Sequence, residues 1–250
     1  MSGHSKWSTI KRKKGAADAK RSNMFAKLLR AVEVAAREGG GSIEGNMTLA
    51  SAVEKARDAS VPNDTIERAI KRGTGELEGG ARYEEVAYEG YGPGGVALFV
   101  ECLTDNRNRT AQDVRHAFTR NGGNLGETGS TAWMFSRSGL IQIEKERAPD
   151  EERLLEIVLE AGADDLSDAD GTWEVRTDPT ALGAVRDALT SAGIPLLSAE
   201  LTMLPQSSVP VEGGQARQVL ALIDALEDLD DVQSVSANFD IPDEVLAEVG

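Results

Sequence analysis

A change in hydrophobic periodicity near residue 73 is the feature that most constrains how this chain can fold. Upstream of it, apolar residues recur at intervals of three and four, which is the spacing of amphipathic helices. Downstream of the glycine-rich segments 73–75 and 79–80, short runs typical of β-strands are interspersed with helical stretches. A purely helical or purely β fold is therefore excluded, and a helical unit followed by α+β units is expected.

Three short helices are predicted in the first 80 residues. The first begins at Ser22 and ends at the glycines of 39–41, and the second covers 46–59. The third begins at Asn63 and ends at Gly73. Three amphipathic helices at this spacing predict a small helical bundle.

The rest of the chain predicts two α+β (ferredoxin-like) domains, one inserted in the other. Between 135 and 205 the order is strand, helix, strand, strand, helix, strand, as in a ferredoxin-like domain. The segments 81–134 and 206–242 are each incomplete and complement one another as a split α+β domain. The expected organisation is therefore a basic arm plus three-helix domain over 1–80, then the split domain, with the ferredoxin-like domain inserted into it.

The charge of the chain changes sign near the same boundary. The whole chain carries 27 Lys and Arg against 42 Asp and Glu, a net charge of −15. Residues 1–72 hold fifteen basic and eight acidic residues, a net of +7, whereas the other 178 residues hold twelve and 34, a net of −22. Because an acidic body repels polyanions and a dense basic segment attracts phosphates, the N-terminal part is the candidate nucleic-acid contact.

The candidate phosphate ligands are concentrated in this basic arm and the first predicted helix. They are Lys6, Lys11, Arg12, Lys13, Lys14, Lys20, Arg21, Lys27 and Arg30. Trp7 is a candidate for stacking on an exposed base, with a hydrophobic tether onto the bundle as the alternative. His4 is expected to donate one hydrogen bond. The alternative for the whole arm is a solvated tail that only aids solubility.

A second candidate anion site lies between a predicted strand and a helix N-terminus, in 104–110. Free helix amides together with Arg107 and Arg109 suit a phosphate contact. The alternative is a capping loop in which Asp105 pairs with a neighbouring arginine.

The sequence contains no arrangement of residues typical of a catalytic or metal site, and no enzyme activity, cofactor, metal or small-molecule substrate is expected. The two histidines, His4 and His116, and the single cysteine, Cys102, are too scattered for a zinc site. Cys102 is predicted to be a core residue of a buried strand. The segment 90–95 matches Gly-x-Gly-x-x-Gly, but a strand follows it, which predicts a hairpin connection rather than a dinucleotide site.

Compartment and membrane signals also follow from the sequence. No uninterrupted apolar run approaches the ~20 residues of a membrane span, and no apolar stretch follows the basic N-terminus as in a secretory signal. One cysteine excludes a disulfide scaffold and fits a reducing compartment. A cytoplasmic location without membrane contact is expected.

Three separated groups of motifs resemble those of the YebC/PmpR family. They are residues 3–11 with 18–21, residues 88–95 and 104–110 with 121–126, and residues 225–232 with 238–240. The resemblance spans nearly the full chain and is weakest over about 137–205. It implies a helical first domain, two α+β domains and a non-enzymatic role in gene expression.

The resemblance implies two alternative functions. One is a DNA-binding transcriptional regulator acting on duplex DNA. The other is a ribosome-associated translation factor, similar to the mitochondrial translational activator of cytochrome c oxidase, that relieves stalling at proline-rich stretches through contacts with ribosomal RNA or tRNA. An interaction adaptor without a nucleic-acid partner and an enzyme are the remaining alternatives, and an intact function after deletion of 1–14 would favour the adaptor.

Overall fold

The computed structural model describes residues 18–169 and 171–241, with side chains from residue 22 onward. An N-terminal helical domain is followed by two α+β domains built on separate four-stranded sheets. The predicted α+β class with this domain order is confirmed. Among the residues that the structure describes, no helix combines the length and apolar character that crossing a bilayer requires.

The helical domain contains α1 (Asp18–Gly39), α2 (Met47–Asp58) and α3 (Asn63–Thr74). Its core includes the fully buried Leu49 and lies where the apolar faces of the three helices meet. Buried Asn46 joins two of them: its side-chain oxygen accepts the N–H of Leu49 at 3.0 Å, and its amide nitrogen donates to the Ala35 carbonyl at 2.8 Å. One residue therefore caps α2 and fixes it against α1.

Two details of the bundle depend on local sequence. The start predicted at Ser22 is wrong, because α1 already includes Asp18; residues 18–21 contain no helix breaker. Gly73 lets α3 approach α1 closely, since a Cβ atom at this position would lie 2.4 Å from the carbonyl oxygen of Glu33.

The elements after the bundle form the two α+β domains. In chain order they are β1 (Glu84–Tyr91), β2 (Ala97–Thr104), α4 (Arg107–Arg120), β3 (Asn124–Leu125), β4 (Phe135–Glu144), α5 (Glu151–Glu160), β5 (Ala163–Asp168), β6 (Thr172–Thr177), α6 (Leu182–Ser191), β7 (Ser198–Pro205), β8 (Val209–Pro210), α7 (Gly213–Glu227), β9 (Val232–Ala237) and β10 (Phe239–Asp240).

The first sheet has the order β3-β1-β2-β9, and all neighbouring strands are antiparallel. β1 and β2 form a hairpin in which Tyr91 pairs with Ala97, so the hairpin connection predicted for 90–95 is confirmed. The last strand, β9, comes from the far end of the chain and places Val235 opposite Val100. Helices α4 and α7 cover one face of this sheet and complete its core.

The second sheet has the order β5-β6-β4-β7, again with all neighbours antiparallel. This is the strand order of a ferredoxin-like domain, as predicted for this part of the chain. Helices α5 and α6 pack on it around Leu154, Val175 and Leu189. Its two central strands are not consecutive in the chain, whereas a hairpin occupies the centre of the first sheet.

Polar and aromatic contacts join the domains. Arg186 of α6 pairs with Glu54 of α2, and the Lys55 ammonium lies 3.6 Å from the Glu200 carboxylate. The rings of Phe99 and Phe135 meet at 6.2 Å between centroids, which links the two sheets. Because the two ion pairs are half-exposed, each contributes little stability, of the order of 0.5 kcal/mol.

Candidate nucleic-acid interface

Most of the predicted phosphate ligands precede the described residues. His4, Lys6, Trp7, Lys11, Arg12, Lys13 and Lys14 lie outside the described residues. Lys20 and Arg21 belong to the first turns of α1, and the structure describes their backbone but not their side chains. The structure therefore fixes the helix into which the arm leads, and the four remaining candidates, Lys27, Arg30, Arg107 and Arg109.

Lys27 and Arg30 are directed toward the split domain. The Lys27 ammonium donates to the carbonyl of Glu227, and Asn23 donates to that of Asp228 at 2.9 Å. Arg30 donates to the carbonyl of Asp230 at 2.8 Å. These carbonyls lie at or just beyond the C-terminus of α7, where helix carbonyls lack partners and the dipole attracts cations. Both basic side chains therefore bind the protein itself.

Burial affects Lys27 in particular. Burial lowers the pKa of its ammonium below the ordinary value, while the carboxylates of Glu227 and Asp228 act in the opposite direction. A half-buried ammonium group held by a carbonyl is less accessible to a phosphate than the ammonium of a solvent-exposed lysine.

Asp231 is the centre of the polar contact between α1 and the split domain. Its buried carboxylate accepts hydrogen bonds from Arg30 at 3.0 Å, from Arg109 at 2.8 Å and from the Thr110 hydroxyl at 2.7 Å. The Thr104 hydroxyl is a further donor at 3.2 Å. Burial would raise the pKa of this carboxyl, but the hydrogen bonds of Arg109 and Thr110 and the charge of Arg30 hold it below its usual value.

The segment 104–110 caps α4 and forms its first turn, and Arg107 is the more exposed of its two arginines. Asn106 caps α4 by accepting the N–H of Arg109 at 3.2 Å. The Arg109 guanidinium also lies 2.9 Å from the Asp105 carboxylate, the pairing considered as the alternative for this loop. Arg107 is different, because its side chain is 66% exposed and its nearest carboxylate, that of Glu84, is 3.8 Å away.

A second buried carboxylate, that of Glu89, organises the loop before β4. It accepts the backbone N–H groups of Gly129 at 2.6 Å and of Thr131 and Ala132 at 2.7 Å each. Burial opposes ionisation, yet these three bonds lower the pKa of the Glu89 carboxyl. The sequence does not single out Glu89, since its partners are backbone amides 40 to 43 positions away.

This loop presents Trp133, the most exposed aromatic ring among the described residues, with 69% of its surface accessible. The indole N–H donates to the Ser130 carbonyl at 3.1 Å, and the Tyr91 hydroxyl donates to the same carbonyl at 2.9 Å. A ring that is exposed and fixed by a hydrogen bond can stack on a base. Sequence reasoning missed Trp133, because the apolar run around it looks like the start of a buried strand.

Among the described residues, the cysteine and the described histidine are not arranged as a reactive or metal-binding site. Cys102 is buried in the core of the split domain, as predicted, and burial raises the pKa of its thiol to about 12, so the thiol stays protonated. His116 lies exposed on α4. Within 18–169 and 171–241, no group of three or more His, Cys, Asp or Glu side chains is placed to hold a metal ion.

Two family models together match nearly the whole chain. Residues 5–76 match the TACO1/YebC protein N-terminal domain, and residues 83–239 match the TACO1/YebC second and third domain. The motifs that meet around Asp231 and Glu89 lie within the second of these matches.

Curated relatives and a solved structure are similar over nearly their full lengths. The chain is 56% identical over 249 residues to a probable transcriptional regulatory protein of Geobacter sulfurreducens, covering 100% of both chains. It is 57% identical over 249 residues to one of Rubrobacter xylanophilus, covering 100% of this chain and 99% of the relative. The crystal structure of a conserved hypothetical protein from Aquifex aeolicus superposes with a TM-score of 0.82 at 46% identity, over 92% of this chain and 94% of that one.

Proposed function

This chain belongs to the TACO1/YebC family, and we propose that it is a non-enzymatic, cytoplasmic regulator of gene expression that binds nucleic acid through its basic N-terminal arm. One observation carries the proposal. In the part of the chain that the structure describes, the protein's own carbonyls and carboxylates bind the basic side chains of Lys27, Arg30 and Arg109. We therefore assign the main phosphate contacts to the seven basic residues of 6–21, a stretch with a single acidic residue.

Duplex DNA is the first target that we propose, because the relatives are named probable transcriptional regulatory proteins. Seven phosphate contacts give a logarithmic salt dependence with a slope of about −6 for duplex binding. The test is fluorescence anisotropy of labelled duplexes, with promoter and scrambled sequences, at several salt concentrations. A transcriptional regulator binds some duplexes more tightly than others, whereas a non-specific binder does not.

The arm is tested by an arm variant that combines Lys11→Gln, Arg12→Gln and Lys13→Gln. The expected result is a salt slope smaller by about 3. The matched body variant combines Arg147→Gln, Arg153→Gln and Arg176→Gln, since these side chains are 67%, 60% and 53% exposed. Equal loss of affinity in the two variants would reject the arm as the contact and indicate a general effect of charge.

Arg107 is the second contact that we propose, because it is more exposed than Arg109, 66% against 49%, and does not contact Asp231. Arg107→Ala is expected to weaken nucleic-acid binding by about threefold, the effect of one exposed phosphate contact. The control is Arg115→Ala, an exposed arginine further along α4. Unchanged affinity in Arg107→Ala would exclude this loop from the interface.

Ribosomal RNA or tRNA is the second candidate target, and the exposure of Trp133 favours it. Single-stranded RNA offers unstacked bases to such a ring, whereas a duplex keeps its bases stacked. Sucrose-gradient sedimentation of lysates expressing wild type, the arm variant or Trp133→Ala separates the two targets. Co-migration with ribosomal particles that both variants reduce supports the RNA target, and free migration together with sequence-selective duplex binding supports DNA.

A further inference from the structure

A cleft of about 480 Å³ opens where α3 ends and the linker to the split domain begins. Three arginines, Arg37, Arg72 and Arg82, line it together with Thr74, Leu77 and the backbone of glycines between 73 and 80. Among the described residues, no acidic side chain lines this cleft. That composition is unusual for a chain with a net charge of −15.

Two of the arginines are fixed in place by one buried carboxylate. Glu33 accepts from Arg37 at 3.1 Å and from Arg72 at 3.2 Å, each through a different oxygen. Arg37 also donates to the carbonyl of Ala81 in the linker. Both guanidinium groups remain about one-third exposed, so their orientation is set before any ligand arrives.

The third arginine is free to bind. Within the part of the chain that the structure describes, Arg82 makes no hydrogen bond or ion pair, and it is exposed. Among the described residues, Glu33 is the carboxylate that pairs with these arginines, whereas Glu76 and Glu78 of the same linker are exposed and do not line the cleft. Glu76, on the same turn, instead accepts the Thr74 hydroxyl at 3.1 Å and lines a neighbouring depression.

Glycine keeps the cleft open. A Cβ atom at Gly80 would lie 2.8 Å from a terminal nitrogen of Arg37 and 3.0 Å from the carbonyl oxygen of Arg72. Gly79 has φ = +94°, which residues with a side chain rarely adopt. The linker backbone therefore passes close to the arginines without covering them.

We propose that this cleft binds a phosphate group, either in free form or as part of a nucleic-acid backbone. Guanidinium groups bind phosphate through paired, charge-assisted hydrogen bonds, and Arg82 and the free edge of Arg72 provide them here. A phosphate in this position would bridge α1, α3 and the linker. The residues that line the site are different from those of the basic arm, and the inference does not depend on the function proposed above.

The test is isothermal titration of the full-length protein with inorganic pyrophosphate, and then with a ten-nucleotide RNA and a DNA strand of the same sequence. Arg82→Ala is expected to weaken pyrophosphate binding by about tenfold, the effect of losing charge-assisted hydrogen bonds. The control is Arg57→Ala, an exposed arginine of α2 that does not line the cleft. Thermal unfolding establishes that both variants remain folded.

The outcomes are distinct. Weaker pyrophosphate binding by Arg82→Ala, together with wild-type binding by Arg57→Ala, supports the site. If Arg82→Ala also binds the oligonucleotides more weakly, the phosphate belongs to a nucleic-acid backbone rather than to a free ligand. Equal binding by the two variants, or no pyrophosphate binding by wild type, overturns it. When Arg82→Ala is introduced into the arm variant, it should still weaken pyrophosphate binding. Failure of the proposed function and failure of this site can therefore be told apart.

Discussion

The guanidinium of Arg109 lies 2.8 Å from the carboxylate of Asp231, 122 positions further along the chain. The other oxygen of that carboxylate accepts from Arg30 of the helical domain at 3.0 Å. One buried carboxylate thereby joins α1, the start of α4 and the segment between α7 and β9. The contact between the helical domain and the split domain thus includes a buried ionic cluster.

Asp231→Asn is expected to destabilise the protein by about 2–3 kcal/mol. The substitution leaves the charges of Arg30 and Arg109 without their shared carboxylate, and the half-exposure of Arg109 reduces the cost below that of a fully buried pair. Urea unfolding followed by circular dichroism measures the difference. Asp165→Asn is the control, because Asp165 pairs with the exposed Arg176 at 3.4 Å. If Asp231→Asn lowers the free energy of unfolding no more than this control does, the prediction is contradicted.

Glu89 is expected to make the free energy of unfolding depend on pH. Because its folded-state pKa is lower than the unfolded value of about 4.3, its stabilisation is present above that value and is lost as pH falls through the folded-state pKa. Glu89→Gln should therefore lose stability less steeply than wild type between about pH 5 and pH 3. Urea unfolding across this range tests it, with Glu85→Gln, an exposed position on the same strand, as the control that should follow wild type.

Arg30→Ala is expected to reduce stability while leaving nucleic-acid affinity unchanged. It removes hydrogen bonds to the Leu103 and Asp230 carbonyls and the pair with Asp231, at a cost of about 1–3 kcal/mol. The arm variant should show the opposite behaviour, with normal stability and weaker binding. Anisotropy and urea unfolding on both proteins form the test, and an equal loss of affinity in the two would place Arg30 in the interface.

Gly73→Ala is expected to destabilise the protein by about 1–3 kcal/mol despite the better helix propensity of alanine. The added methyl group would meet the Glu33 carbonyl at 2.4 Å and force α3 away from α1. Gly183→Ala in α6 is the matched opposite, since nothing lies within 4 Å of its added Cβ, and it should stabilise by about 0.5–1 kcal/mol. Thermal unfolding of both variants measures the pair, and shifts of the same sign would refute the steric explanation.

Much of the fold could be predicted from hydrophobic periodicity and turn residues. The incomplete segment at the end of the chain also indicated a split domain, and β9 does complete the first sheet beside β2. The start of α1 was not predictable to within a few residues, because residues 18–21 form a helix without an apolar face to mark it.

The candidate site was less accessible to prediction, because charge counting treats every cation alike. Lys27 and Arg30 have the same side-chain chemistry as the residues of the arm, and only the position of α7 shows that they bind carbonyls. Asp231 likewise follows the chemically identical Asp230, whereas only Asp231 has a carboxylate that faces Arg109. Which carboxylate or carbonyl a basic side chain binds, when the two are more than a hundred residues apart, is determined by how the helices and strands pack in the folded protein.

The pairing of β2 with β9 has a consequence for the order in which the chain folds. The first sheet cannot close before residues 232–237 exist, whereas the second sheet draws all of its strands from residues 135–205. Contacts between distant segments are slow to form, so we expect the central domain to acquire protected amides first and the first sheet last. Pulsed hydrogen exchange during refolding would show this order. During synthesis, the unpaired edge of β2 must then wait through more than a hundred residues of elongation, which makes β2 the strand most exposed to incorrect pairing.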